Sequence, residues 1–107
     1  MLKPEYKIPS MKEINNIPAK LNAVSTFSGA GGSCLGLKMG GFRVRWASEF
    51  IPSAQEVYRL NHKSTPLDER DIRQVTGDEI LSTVGLEVGS LDLLEGSPPC
   101  ASFSMSG

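Results

Sequence analysis

The chain has two cysteines and a single histidine in 107 residues. Cys34 and Cys100 lie far apart and His62 is the lone imidazole, which leaves no disulfide framework and no zinc site of ordinary ligand spacing. Reduced thiols, as in a cytosolic or nuclear compartment, are the simplest expectation. Basic excess is also lacking. The formal net charge is -1, without the positive footprint of a self-sufficient nucleic-acid binder, so a nucleic-acid substrate would find most of its phosphate contacts elsewhere. No apolar run reaches membrane-spanning length, and the N-terminus lacks the charged, apolar, small-residue order of a signal peptide. The expectation is a soluble intracellular chain that uses neither metal nor membrane.

What is present suits one globular domain: 39% of the residues are apolar and 21% charged. Residues 1–21 carry Pro4, Pro9 and Pro18 among lysines and asparagines and read as an arm laid over the surface. Within it, Ser10 and Glu13 have capping-box spacing, which predicts a helical turn near residues 11–16. Residues 22–27 form the first strand candidate and run into Ser28-Gly29-Ala30-Gly31-Gly32. This glycine turn opens a helix over 33–39 that Gly40-Gly41 ends. Residues 42–48 alternate with the two-residue period of a strand, completing a β-α-β unit.

After Pro52, the residues Ala54, Val57, Tyr58 and Asn61 mark one face of a helix. A brief third strand is expected at 65–67, with Asp71 at its end. Thr76 and Glu79 have the spacing of a second capping box, and Ile80, Leu81 and Val84 supply the inward stripe of a helix closed by Gly85. A fourth strand, 91–95, follows. Strands and helices alternating in this order call for a parallel sheet with right-handed crossovers. Four strands are fewer than a doubly wound domain normally has, so the edge of the fourth needs another segment beside it.

The chemistry is concentrated at the strand ends. Pro98 and Pro99 stop the fourth strand, because both fix φ and neither donates a ladder bond. Cys100 then points into the space above the sheet edge, where open α/β sheets bind substrates. It reads as a nucleophile; a buried cysteine acting as a small hydrophobe is the plain alternative. The glycine turn lets a backbone approach a ligand closely and aims helix-start amides at an anion, although Cys34 stands where a dinucleotide fingerprint needs glycine. Glu49 ends the second strand roughly 20 residues after Gly29, the place of a ribose-binding acid. Phe50 offers an aromatic face for a base, or a core contact. Asp71 can accept from an exocyclic amine, or cap the next turn. Together these residues describe a nucleoside ligand with an amino-acid tail, and S-adenosyl-L-methionine fits.

The order Phe27-Ser28-Gly29-Ala30-Gly31-Gly32, then Glu49-Phe50, Asp71-Ile72, and Pro98-Pro99-Cys100 with Phe103-Ser104 closely resembles the DNA cytosine-5 methyltransferase family over residues 22–107. The resemblance implies a partial Rossmann-like, S-adenosylmethionine-dependent methyltransferase fold of α/β class, with about four parallel strands and flanking helices. Phe27, Gly29, Gly31 and Gly32 would surround the methionine part of the cofactor, Glu49 would hold the ribose, and Phe50 would pack on adenine. Asp71 would bind the adenine amino group, and Ile72 would also belong to the cofactor site. Pro98 would lie at the cofactor, Cys100 would be the nucleophile, and Ser104 and Ser106 would belong to the substrate loop.

The implied reaction begins with thiolate addition at C6 of cytosine, which makes C5 able to take the cofactor's methyl group. Loss of the C5 proton and of the thiolate restores the ring. Duplex bases must be flipped out for such attack. Where the family usually has Asp, this chain has Ser25, and where it has Gln, Ala101. The family's Glu-Asn-Val block, target-recognition region and C-terminal helix have no counterpart, and Arg43-Val44-Arg45 reads as a solvated strand face rather than a substrate clamp. The expectation is therefore an incomplete N-terminal portion, inactive alone. It would meet double-stranded DNA through the full enzyme, beside the rest of the catalytic domain or a complementary chain. That enzyme would work in the cytoplasm or nucleoid of a bacterium, or in a eukaryotic nucleus. A non-catalytic module binding the cofactor or a partner, a nicotinamide-dependent Rossmann protein, and a transfer-RNA methyltransferase stay open as alternatives.

Overall fold

Ser10 starts the first helix in the way its spacing with Glu13 predicts. Its hydroxyl accepts from the Glu13 amide while the Glu13 carboxylate reaches back to the Ser10 backbone. The computed structural model describes residues 8–98, and in it this helix, α1, runs Met11–Asn15. The arm is more than a surface strap. Ile14 is only 4% exposed, and the Asn15 side-chain oxygen accepts from Lys38 at 3.0 Å.

Four parallel strands follow: β1 Leu21–Thr26, β2 Phe42–Ser48, β3 Leu67–Asp68 and β4 Leu93–Gly96. Their order in the sheet is β3-β2-β1-β4. Between them lie α2 Gly32–Met39, α3 Pro52–Asn61, a 3-10 turn Ile72–Gln74, and α4 Gly77–Val84. The chain moves outward from β1 to β3, then crosses back to the far side of β1. Right-handed crossovers in opposite directions put α4 on the face opposite α2 and α3. The reversal between β1 and β4 is the topological switch point at which such sheets hold ligands. The expected partial Rossmann-like α/β fold is the one found.

The core is small and lies between β2 and the helices α2 and α3. Cys34, Val44, Ala47 and Tyr58 form one buried cluster, with Leu37 and Leu67 packed on it. Tyr58 donates its hydroxyl hydrogen to Cys34 Sγ at 3.2 Å. A register shift between Ala23 and Val24 leaves Arg45 as the extra residue of β2. Arg45 is half-buried, and its guanidinium donates to the Val84 carbonyl at the end of α4, where a cation complements the helix dipole. The Arg-Val-Arg run is thus a sheet face, with Arg45 fastening a helix.

Several boundaries shift for local reasons. β1 starts one residue earlier than expected and releases Phe27, which turns with φ +50°. The inward side of α3 is Gln55 and Tyr58, continued by His62 at its end, while Val57 is 42% exposed. Polar residues face inward there because they have partners: the Gln55 amide donates to the Glu49 carbonyl at 2.7 Å. β3 forms two residues later than expected, and Pro66 still offers its carbonyl to Ala47. Thr76 caps α4, but the Glu79 carboxylate goes to Arg70 instead of closing the box. Ile80, Leu81 and Val84 are only half-buried. β4 begins at Leu93, just after Asp92, whose carboxylate accepts from the Asn22 amide at 2.7 Å and whose amide donates to the Asn22 carbonyl at 3.1 Å.

Replacing Ile14 by Ala should therefore cost about 2 kcal/mol or more in urea unfolding. Ile8→Ala, at a position 85% exposed, should leave the midpoint unchanged. Equal midpoints for both variants would return the arm to the surface.

Candidate functional site

The carboxyl ends of the strands are stitched together by backbone bonds. The Ser28 amide donates to the Ser48 carbonyl at 2.8 Å, and the Glu49 amide to the Asp68 carbonyl at 3.1 Å. Glu49 itself sits 9% exposed. Its Oε1 accepts from the Gly29 amide at 2.8 Å and its Oε2 from the Ile51 amide at 2.9 Å. A carboxylate has about four acceptor positions, so each oxygen keeps capacity for a ligand.

Above this seam lies a cleft of about 720 Å³ lined by Phe27, Gly29, Glu49, Phe50, Asp71 and Ile72, together with Ser48, Ile51, Arg70, Arg73 and Ser97. Six of the residues singled out from the sequence meet there. Phe50 is 64% exposed and so is no core residue; its ring is available to a flat ligand. A Cβ placed on Gly29 would find nothing within 4 Å, so the backbone there borders open space. Phe27 holds φ +50°, uncommon for a bulky residue and characteristic of functional turns.

The other predicted residues lie elsewhere. Gly32 is the first residue of α2 and does not line the cleft, and Pro98 is exposed beyond Ser97. Gly31 faces the interior, where a Cβ would come within 2.5 Å of the His62 ring. Nor are all the turn's amides free, since that of Gly31 donates to the Ser28 carbonyl and that of Gly29 to Glu49. Cys100, Ser104 and Ser106 lie outside the described residues.

Asp71 is not at the end of β3. It caps the 3-10 turn, accepting from the Arg73 amide at 2.9 Å, and the Arg73 guanidinium grips both carboxylate oxygens at 2.6 to 3.1 Å. These bonds hold the carboxyl down at about 2, so it is ionised throughout the physiological range. Arg70, the other cation in the cleft, is bound to Asp68 and Glu79. Glu49 is then the one cleft carboxylate with no ion partner among the described residues.

Two buried polar networks were not visible in the sequence. Ser25, fully buried, donates to Glu95 Oε2 at 2.7 Å and lies 2.9 Å from the Ser28 hydroxyl. A carboxylate therefore does stand beside position 25, contributed from β4 across the pair Ser25 and Glu95. In the second network, His62 lies between the Gly31 carbonyl, 3.0 Å from Nε2, and Lys38, 2.8 Å from Nδ1. The single histidine and the glycine turn were each noticeable; their contact depends on the path of α3.

The chain matches the family model described as C-5 cytosine-specific DNA methylase over residues 21–107. It is 42% identical over 84 residues to the type II methyltransferase M.AquIA of Picosynechococcus, covering 78% of this chain and 34% of that protein. It is 36% identical over 87 residues to M.FnuDI of Fusobacterium nucleatum, covering 81% of this chain and 23% of the relative. Among solved structures, DNMT2 of Spodoptera frugiperda superposes with a TM-score of 0.64 at 28% identity, covering 76% of this chain and 23% of that one. The chain thus spans roughly a quarter to a third of these relatives.

Removing the guanidinium in Arg73→Ala should let the Asp71 carboxyl rise towards the ordinary value of about 3.9, followed by NMR titration. Because the Arg73 side chain is 87% exposed, the melting temperature should hardly move. An unchanged titration would mean that the ion pair does not hold this carboxylate.

Proposed function

The chain belongs to the C-5 cytosine-specific DNA methylase family, and on that premise we propose that it carries the S-adenosylmethionine site and the attacking cysteine of an enzyme that methylates C5 of cytosine in DNA. The observation that carries the reading is the cleft at the strand ends, where a carboxylate without an ion partner among the described residues, an exposed aromatic ring, a second carboxylate and an open glycine border one space. The ligand's parts fit these groups. Glu49 accepts from the ribose hydroxyls with the capacity its backbone bonds leave. Phe50 and Ile72 bracket the adenine, and Asp71 accepts from its amino group. Phe27 and Gly29 border the methionine tail, Gly32 opens the helix beside it, and Gly31 supports the turn from behind. When bound, the cofactor supplies an electrophilic methyl group on a sulfonium cation. Glu49, one negative charge in a cleft whose other ions are paired among the described residues, suits a ligand of positive net charge.

β4 ends at Gly96, Pro98 follows it in the chain, and Cys100 supplies the thiolate that adds to C6 of the target base. Ser104 and Ser106 belong to the loop that meets the substrate. Residues 22–107 act as the N-terminal portion of the catalytic domain and residues 1–21 as a preceding arm. Double-stranded DNA is engaged through the complete enzyme, because the net charge of -1 leaves this portion little of its own to offer phosphates. The complete enzyme works where its DNA is, in the cytoplasm or nucleoid of a bacterium or the nucleus of a eukaryote.

The test is covalent trapping. The complete catalytic domain containing this chain, given S-adenosylmethionine and a duplex with 5-fluorocytosine at its target, should form a denaturation-resistant adduct that Cys100→Ser abolishes. Cofactor binding without any adduct would favour a non-catalytic module. In the same protein Glu49→Gln should weaken S-adenosylmethionine about tenfold or more, the effect of one charged hydrogen bond, in equilibrium titration.

A further inference from the structure

We infer that His62 is a positioning residue for the glycine turn: from the side away from the cleft, and together with Lys38, it holds Gly31 in the geometry that cofactor binding needs, and it does so only as neutral imidazole. The inference rests on the cofactor reading above and concerns residues outside the cleft.

A carbonyl oxygen can only accept, so His62 Nε2 carries the hydrogen of the 3.0 Å bond to Gly31. In a neutral ring Nδ1 is then an acceptor, and the Lys38 ammonium donates to it at 2.8 Å while also donating to Asn15 at 3.0 Å. The ring is 2% exposed. It also occupies the volume that a side chain at position 31 would need, since a Cβ there would lie 2.5 Å from its atoms.

Gly31 is the N-cap of α2, with φ +103° and no side-chain cap. Its carbonyl receives the first helical amide, that of Leu35, at 2.9 Å as well as the His62 N–H. Its own amide is bonded to the Ser28 carbonyl, and the neighbouring Gly29 donates to Glu49. The histidine is therefore connected to the cleft carboxylate through the backbone of a single turn.

Protonation would reverse the role of Nδ1 and set its N–H against an ammonium. The groups facing the ring are Lys38 of α2, the Gly31 carbonyl, Tyr58 of its own helix with ring centroids 4.6 Å apart, and the neutral Asn15 of α1 acting through Lys38. None of these is a carboxylate that would welcome a second proton. Burial first, and then the Lys38 charge, hold the imidazole below its ordinary 6.5. Because the folded value lies below the unfolded one, the stabilisation is complete above about pH 6.5. It is lost as the pH falls below that value towards the folded one.

The test uses the complete catalytic domain and compares wild type, His62→Gln and His62→Leu. Glutamine can donate an amide hydrogen where Nε2 did, but does not titrate. At pH 8, His62→Leu should bind S-adenosylmethionine roughly tenfold more weakly, with the loss in KM for the cofactor rather than in kcat at saturation. His62→Gln should stay near wild type. As the pH falls through the folded titration of the His62 ring, followed by NMR, wild-type affinity should drop more steeply than that of His62→Gln. Parallel profiles for these two proteins across that titration would overturn the inference even if His62→Leu folds poorly, as would wild-type affinity in a folded His62→Leu. Hydrogen exchange at the amides of Gly29, Gly31 and Leu35 reads the turn without cofactor. Protection in wild type that falls in acid, and does not fall in His62→Gln, supports the inference; equal protection overturns it. If no form binds cofactor, the cofactor reading fails, and hydrogen exchange still decides the role of His62.

Discussion

Glu49 is held at four points, and the arrangement of the strand ends depends on them. Its amide donates to β3 at Asp68, its carbonyl receives the Gln55 side chain from α3, and its carboxylate receives the amides of Gly29 and Ile51. One residue thus joins the end of β2 to the next strand, the following helix and the turn after β1. α3 has no side-chain N-cap at Ile51, so the carboxylate beside it serves one of the amides that a helix start leaves unpaired. The partly buried position makes these bonds stronger than surface ones, and costly to lose without replacement.

The same economy runs through the interior. The buried set includes Ser25, Ser28, Ser48, Gln55, His62 and Thr65 beside a modest number of hydrophobic residues. Among the described residues no buried side-chain nitrogen or oxygen lacks a hydrogen-bond partner. Such a core gains less from apolar burial than an aliphatic one of the same size. In exchange, each polar group accepts few alternative positions, because an unpaired one costs about 1–3 kcal/mol. That cost favours one arrangement of the strand ends, where Ser28 and Glu49 must stay in register with Ser48 and Asp68.

Much of this was legible in the sequence because it is local. The glycine turn after an apolar strand, the Ser10 and Thr76 caps and the strand at 42–48 are determined within a few residues, and each is found, although the bulge at Arg45 breaks the strand's strict alternation. What was not legible depends on contacts between distant segments. Val57 looked inward by its apolarity, yet Gln55 takes that side because the Glu49 carbonyl is there to receive it. Asp71 was read as a strand end, but β3 closes at Asp68 and leaves Asp71 to cap a 3-10 turn. Phe27 was assigned to β1, while the structure gives it a positive φ that phenylalanine rarely adopts and that no local pattern announces. Of the six residues that do meet in the cleft, Gly29, Glu49, Phe50 and Asp71 stand out by their place after strands, which parallel topology brings to one edge, whereas Phe27 and Ile72 come from the family resemblance.

The turn's own bonds bear on which nucleoside ligand it suits. A dinucleotide places a pyrophosphate over the glycine turn and needs its amides free and its surroundings short of negative charge. Here the Gly29 amide is committed to a carboxylate and the Gly31 amide to the Ser28 carbonyl. Glu49 therefore stands in contact with the turn, and Glu95 stands one strand away, bonded to the Ser25 hydroxyl that also touches Ser28. Neither acid has a cationic partner among the described residues. Two such charges beside the turn would repel a pyrophosphate and attract a cation, even after screening by salt. A nucleoside with a cationic tail meets that field favourably, and it needs fewer amides from the turn, because its one carboxylate can be served by those at the start of α2. The weight of the electrostatics therefore falls against a nicotinamide dinucleotide, on grounds independent of the cysteine.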